Sequence, residues 1–204
     1  MKLLLTAFGP FDGRAQNASA LALKGLKERY GWLNTRVLPV DGLRAPQRMI
    51  QALRQLKPNA VIMLGEARGA TTVRLETTAW NELNFTLPDV AGWQPRGGAI
   101  VAGAPRSLAA TLPMEIFQAD LSAAGFPVAC STEPGRYLCN QLMFCTLSHL
   151  AKHSPSTAAG FIHLPLSSEL ETSRAIDAIG LVIQGILTRS RSVDFPVGTR
   201  PPRR

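Results

Sequence analysis

A chain of 204 residues with 46% hydrophobic content can bury a full core, and with only 18% of its residues charged it is not a largely disordered protein. The formal charge of +8 and pI near 10.1 would suit nucleic acid or an anionic surface, yet the basic residues are scattered without a run of five, so the charge speaks to solubility and steering. Three cysteines exclude an even disulfide framework, the apolar start Met1 to Leu5 is broken by Gly9-Pro10 too soon for a leader, and no window approaches a membrane span, so a reducing, cytoplasmic home is expected.

Residues 1–194 are expected to form one domain, followed by a flexible Pro/Arg-rich tail, 195–204. Short β-rich runs alternate with helical patterns, the arrangement of an α/β fold with a mostly parallel sheet and helices on both faces. Lys2 to Phe8 reads as a buried first strand. Asn17 caps a helix to Tyr30, with Leu23, Leu26 and Tyr30 at helical spacing and Gly31 as its stop. Thr35 to Val40 is a second strand that Pro39 confines to an edge. Met49, Ile50, Leu53 and Leu56 mark one face of a second helix, ended by Lys57-Pro58 before the apolar strand Ala60 to Leu64.

From Gly65 to Pro105 the pattern loosens into short strands and turns, including Thr71 to Thr78 and Gly97-Gly98, and irregular stretches of this length tend to line functional sites. Thr111-Leu112-Pro113 opens a helix to Ala124, and Pro127 to Ser131 forms the next strand. A helix from Tyr137 to His153, a strand from Ala158 to Leu164 and an amphipathic helix from Glu169 to Thr188 complete the pattern.

The segment Glu133 to Asn140 places the thiol of Cys139 in the first turn of a helix that follows a strand and a Gly/Pro turn. Unpaired N–H groups and the helix dipole stabilise a thiolate there and can hold an oxyanion, although most cysteines are small core residues and position alone leaves that reading open. A thiol nucleophile needs a base. His163 stands at the carboxyl end of the strand beside the Cys-bearing unit, where reacting groups gather in such sheets; a satisfied core histidine is the alternative. Glu76, flanked by apolar residues, needs a partner, and an imidazolium, Arg68 or Arg74 would each serve. Phe8 and Phe11 end the first strand as a pair that could sandwich a flat ring or simply join the core. His149 and His153 share a helix face, but Leu150 breaks the zinc-protease pattern and no third ligand suggests itself, so neither metal nor cofactor is expected.

Taken in order, these segments resemble the pyroglutamyl peptidase type I (pyrrolidone carboxyl peptidase) family. The resemblance runs through Thr6 to Phe11 with Asn17, Leu64-Gly65-Glu66-Ala67, Leu75-Glu76, Ala79-Trp80-Asn81, Leu87-Pro88-Asp89 and Thr111-Leu112-Pro113. It continues through Gly135-Arg136-Tyr137-Leu138-Cys139-Asn140 and Phe161 to Pro165. The resemblance implies a three-layer α/β/α sandwich and metal-free removal of N-terminal pyroglutamyl residues by a cysteine peptidase. It implies Cys139 as nucleophile, His163 as proton carrier and Glu76 as the group orienting the imidazole. Phe8, Phe11, Asn17 and Glu66 are the implied substrate-binding positions. The implied partner is a peptide or small amide with N-terminal pyroglutamate, not nucleic acid or membrane, and a homodimer or homotetramer fits the resemblance.

The sequence departs from the family at Ala70, Thr77 and Thr86, where arginine is usual, and at Glu66, where glutamine is. Arg136 adds an unusual charge to the nucleophile loop, able to favour a thiolate. The lost arginines motivate a second reading, a relative with the same three groups acting on another small acyl or amide substrate. The net charge motivates a third, a basic anion-binding protein with strongly salt-dependent affinity.

Overall fold

Over residues 1–191, which the computed structural model describes, the apolar runs form strands and the amphipathic runs form helices; the tail expected at 195–204 lies outside the described residues. The first half contains β1 (Leu3–Phe8), α1 (Ala18–Arg29), β2 (Asn34–Leu38), α2 (Arg44–Leu56), β3 (Ala60–Glu66), β4 (Val73–Glu76) and β5 (Thr78–Trp80). The second contains β6 (Ser107–Ala109), α3 (Met114–Ala123), β7 (Val128–Ser131), α4 (Leu138–His153), β8 (Ala158–Leu164) and α5 (Thr172–Arg191).

Six strands form the main sheet in the order β2-β1-β3-β8-β4-β7. All neighbours are parallel except β4 and β8. That exception follows from chain length: the link 67–72 between β3 and β4 is too short for the crossover a parallel return needs, so β4 runs back against the sheet direction. The expected strand Thr71 to Thr78 is thereby divided. At Thr77 the chain leaves the main sheet, and β5 pairs antiparallel with β6, a three-residue strand whose brevity hides it from periodicity. The second strand ends at Leu38, short of Pro39, and lies at the sheet edge as expected.

Period-2 alternation sorts the core into two layers. Leu3, Leu5, Ile62 and Leu64 pack with α1, α3 and α5, including the α5 stripe Ile179, Val182, Ile183 and Ile186. Leu4, Phe8, Val61 and Met63 pack with α2 and α4. The result is the three-layer α/β/α sandwich anticipated above, each fully buried aliphatic side chain contributing about 1.5–3 kcal/mol. Asn17 is the N-cap of α1 and accepts from Ser19 N–H at 2.9 Å. The layering leaves the carboxyl ends of β1, β3 and β8 at one edge, beside the start of α4.

Candidate active site

The chain enters α4 through Gly135, whose φ of 80° is the left-handed region that costs other residues steric strain. Tyr137 is the N-cap and supplies no side-chain hydrogen bond, so the first-turn N–H groups of α4 keep their donor capacity around Cys139. Asn140, fully buried, pins the helix start: its Oδ1 accepts from Trp80 N–H at 2.7 Å and its Nδ2 donates to Trp80 O at 2.9 Å and Glu82 O at 3.2 Å. Position on a helix is thus set by a polar anchor one residue beyond the thiol.

Sheet register sets the other two groups. Gly65 on β3 lies opposite His163 on β8, and a Cβ built at Gly65 would lie 3.0 Å from Cys139 Sγ, which places the sulfur over the end of β3, next to the strand that carries the imidazole. Across the antiparallel pair, Arg74 faces His163 and Glu76 faces Phe161, so Arg74, Glu76 and His163 project from one face of the sheet. His163 Nδ1 lies 2.7 Å from Glu76 Oε1, leaving Nε2 for the thiol side. Both groups are buried, Glu76 at 0% exposure and His163 at 5%.

Burial would push the His163 pKa down, but the negative charge of a Cys139 thiolate and the Glu76 carboxylate prevail and raise it to about 9. Burial likewise opposes ionisation of Glu76, yet His163, the Ser131 hydroxyl and Arg74 hold its carboxyl below the usual range. The arrangement therefore keeps a carboxylate beside an imidazole that readily carries a proton. Of the three partners open to Glu76, the structure provides two, His163 and Arg74; Arg68 instead pairs with Asp12 at 2.6 Å.

Cys139 lines a cleft of about 220 Å³ together with Phe8, Phe11, Asn17 and Glu66, so all four expected substrate-binding residues reach the same cavity. Glu66 is not a free acceptor: it pairs with Arg14 and its Oε2 accepts from Ala18 N–H at 2.7 Å, serving the open end of α1. Asn17 Nδ2 donates to Gly9 O at 3.2 Å and ties the loop bearing Phe11 to the helix.

Tyr137 also lines the cleft and was not singled out in the sequence. Its ring packs 5.8 Å from Phe11 and 4.5 Å from Phe85, and burial raises its pKa, keeping the phenol a donor to Pro88 O at 3.2 Å. Its place between Gly135 and Cys139 was the available signal. Arg136 faces other partners than the thiol: it pairs with Glu82 and Glu133 and lies 5.1 Å over the Trp80 ring. His149 and His153 stack at 4.5 Å in the last turns of α4, away from this cleft.

Fold and site together define a class, an open α/β protein whose helix-start thiol meets a buried imidazole–carboxylate pair beside an aromatic cleft. A family model described as pyroglutamyl peptidase matches residues 1–184, and the chain belongs to that family of cysteine-type omega peptidases. It is 32% identical to a pyrrolidone-carboxylate peptidase of Clavibacter michiganensis subsp. michiganensis, over 97% of each chain. It is 33% identical to that of Thermococcus kodakarensis, over 91% of this chain and 92% of the relative. Among solved structures, a mutant pyrrolidone carboxyl peptidase of Pyrococcus furiosus superposes with a TM-score of 0.87 at 30% identity, covering 93% of this chain and 100% of that one. Pyroglutamyl peptidase I of Bacillus amyloliquefaciens superposes with a TM-score of 0.84 at 27% identity, over 88% and 93%. Among the described residues no helix is long and apolar enough to cross a membrane.

Proposed function

We propose that this chain, as one domain spanning residues 1–194, removes N-terminal pyroglutamyl residues from cytoplasmic peptides through Cys139, His163 and Glu76. The Cys139 thiolate attacks the pyroglutamyl carbonyl, and first-turn N–H groups of α4 receive the developing oxyanion. The imidazolium of His163 gives its Nε2 proton to the departing amine, leaving a thioester on Cys139. Neutral His163 then takes a proton from water, whose oxygen attacks the thioester; pyroglutamate leaves and the thiolate–imidazolium pair is restored. Glu76 holds Nδ1–H throughout, so the tautomer presents Nε2 to the chemistry.

Phe8 and Phe11 bury the faces of the lactam ring, while Asn17 and Glu66 shape the polar wall of the cleft. Free Cys130, Cys139 and Cys145 suit a reducing compartment.

The observation that carries this reading is the buried His163–Glu76 pair at 2.7 Å next to a cleft lined by Cys139 and two aromatic rings. Hydrolysis of a pyroglutamyl chromogenic amide by reduced protein tests it. Turnover that disappears in Cys139→Ser and after thiol alkylation is expected; a folded, reduced sample without turnover overturns the proposal.

A further inference from the structure

Glu76 Oε1 meets two cations, not one. His163 Nδ1 lies at 2.7 Å and Arg74 Nη2 at 3.0 Å from the same oxygen. Arg74 is two residues earlier on β4 and directly opposite His163 in the antiparallel register, so the strand pairing itself delivers its side chain to that face. The guanidinium is fixed from beyond the pair as well: Nη2 lies 2.6 Å from Glu133 O and 3.4 Å from Ser131 Oγ, tying it to β7 and to the loop that leads into the nucleophile helix.

We propose that Arg74 is a positioning residue for the hydrolytic site: it holds the Glu76 carboxylate ionised and in the one orientation that engages His163 Nδ1. The proposal rests on the Cys139–His163–Glu76 reading. A carboxylate at 0% exposure cannot turn to water for a second partner, and Arg74 at 31% exposure is shielded enough for its charge to act. The groups around the pair are few. Arg74 and Glu76 come from β4, Cys139 from α4, Ser131 and Cys130 from β7, and Glu133 from the following loop. Glu115 of α3 acts on Cys130, and Glu66 at the end of β3 is engaged by Arg14. Arg74 is thus the cation that balances Glu76 when His163 is neutral, the state in which the imidazole activates water.

Removing that cation leaves Glu76 free to hold the imidazolium more tightly while loosening its orientation. Arg74→Met should therefore lower kcat about tenfold with KM nearly unchanged, the loss of one charge-assisted contact at a partly shielded site. The alkaline limb of the kcat/KM profile, set by loss of the His163 proton, should move up by about one pH unit. Arg74→Lys should restore the limb, since it keeps the charge, and recover part of kcat, since an ammonium lacks the planar guanidinium.

Both variants are assayed against pH on a pyroglutamyl amide, beside thermal melts. Iodoacetamide alkylation at Cys139, followed by peptide mass against pH, needs no substrate and separates failure of this inference from failure of the substrate reading. An alkaline shift of the imidazolium inflection in Arg74→Met supports the inference even if the amide is not cleaved. Coincident profiles with unchanged kcat, or a lowered melt alone, overturn it.

Discussion

Replacing Gly65 by alanine would press one methyl group against the Phe161 ring and the Cys139 sulfur. Gly65 lies in register with His163, so a Cβ there points onto the face that carries the imidazole. It would sit 2.7 and 2.8 Å from two atoms of the Phe161 ring and 3.0 Å from Cys139 Sγ. Carbon contacts relax at about 3.5–4.0 Å, so ring and sulfur must retreat by about 1 Å. Phe161 is fully buried and its ring centroid lies 4.8 Å from that of His163, so any shift of the ring disturbs the packing of the imidazole. Overpacking of this kind costs about 1–3 kcal/mol, a fall in Tm of about 2–12 °C for a chain this size. Displacing reacting groups by about 1 Å costs about 100-fold in rate. Steady-state kcat/KM on a pyroglutamyl amide, measured well below the melt, should therefore fall far more than the folded fraction. An alanine variant with undiminished kcat/KM would refute the placement of Cys139 over Gly65.

Two further outcomes follow from the buried pair. Glu76→Gln keeps shape but offers a neutral amide that no longer enforces one tautomer, and kcat should fall by about 10³–10⁴-fold while the protein stays folded, as read by steady-state kinetics and circular dichroism. His163 has its pKa raised from 6.5 to about 9 in the folded state, so its contribution to stability is fully present below about pH 6.5 and is lost as pH rises through 9. Urea unfolding across that window should show a decline of a few kcal/mol that His163→Asn flattens. The depressed Glu76 pKa has the opposite sense, with stability lost on acidification through its folded value.

Much of the architecture was legible locally because its signals are local. The mostly apolar run of β1, the Asn17 cap and the α5 stripe each depend on side chains within a few residues of one another. The middle of the chain resisted for a physical reason. β4 and β5 are four and three residues long, and their separation at Thr77 follows from which distant strand each one pairs with. No period over such lengths distinguishes one strand from two.

At the site the same division holds. Local setting made Cys139, His163 and Glu76 candidates, each with a core or ion-pair alternative, and it was the resemblance carried by the ordered motifs that implied their joint role. Which cation serves Glu76 was open between Arg68 and Arg74, both within a short stretch of Glu76. The antiparallel turn of β4 decides it by placing Arg74 opposite His163, while Arg68 remains in the link and reaches Asp12. Arg136 shows the converse, a charge near the thiol in sequence that the fold commits to Glu82, Glu133 and Trp80. By itself the sequence determined the alternation of elements, the two apolar faces and the chemical types available. Only the tertiary structure decided the reversed direction of β4 and β7 and the partner of each charge, because those depend on contacts between residues tens of positions apart, which chain order does not encode in any local period.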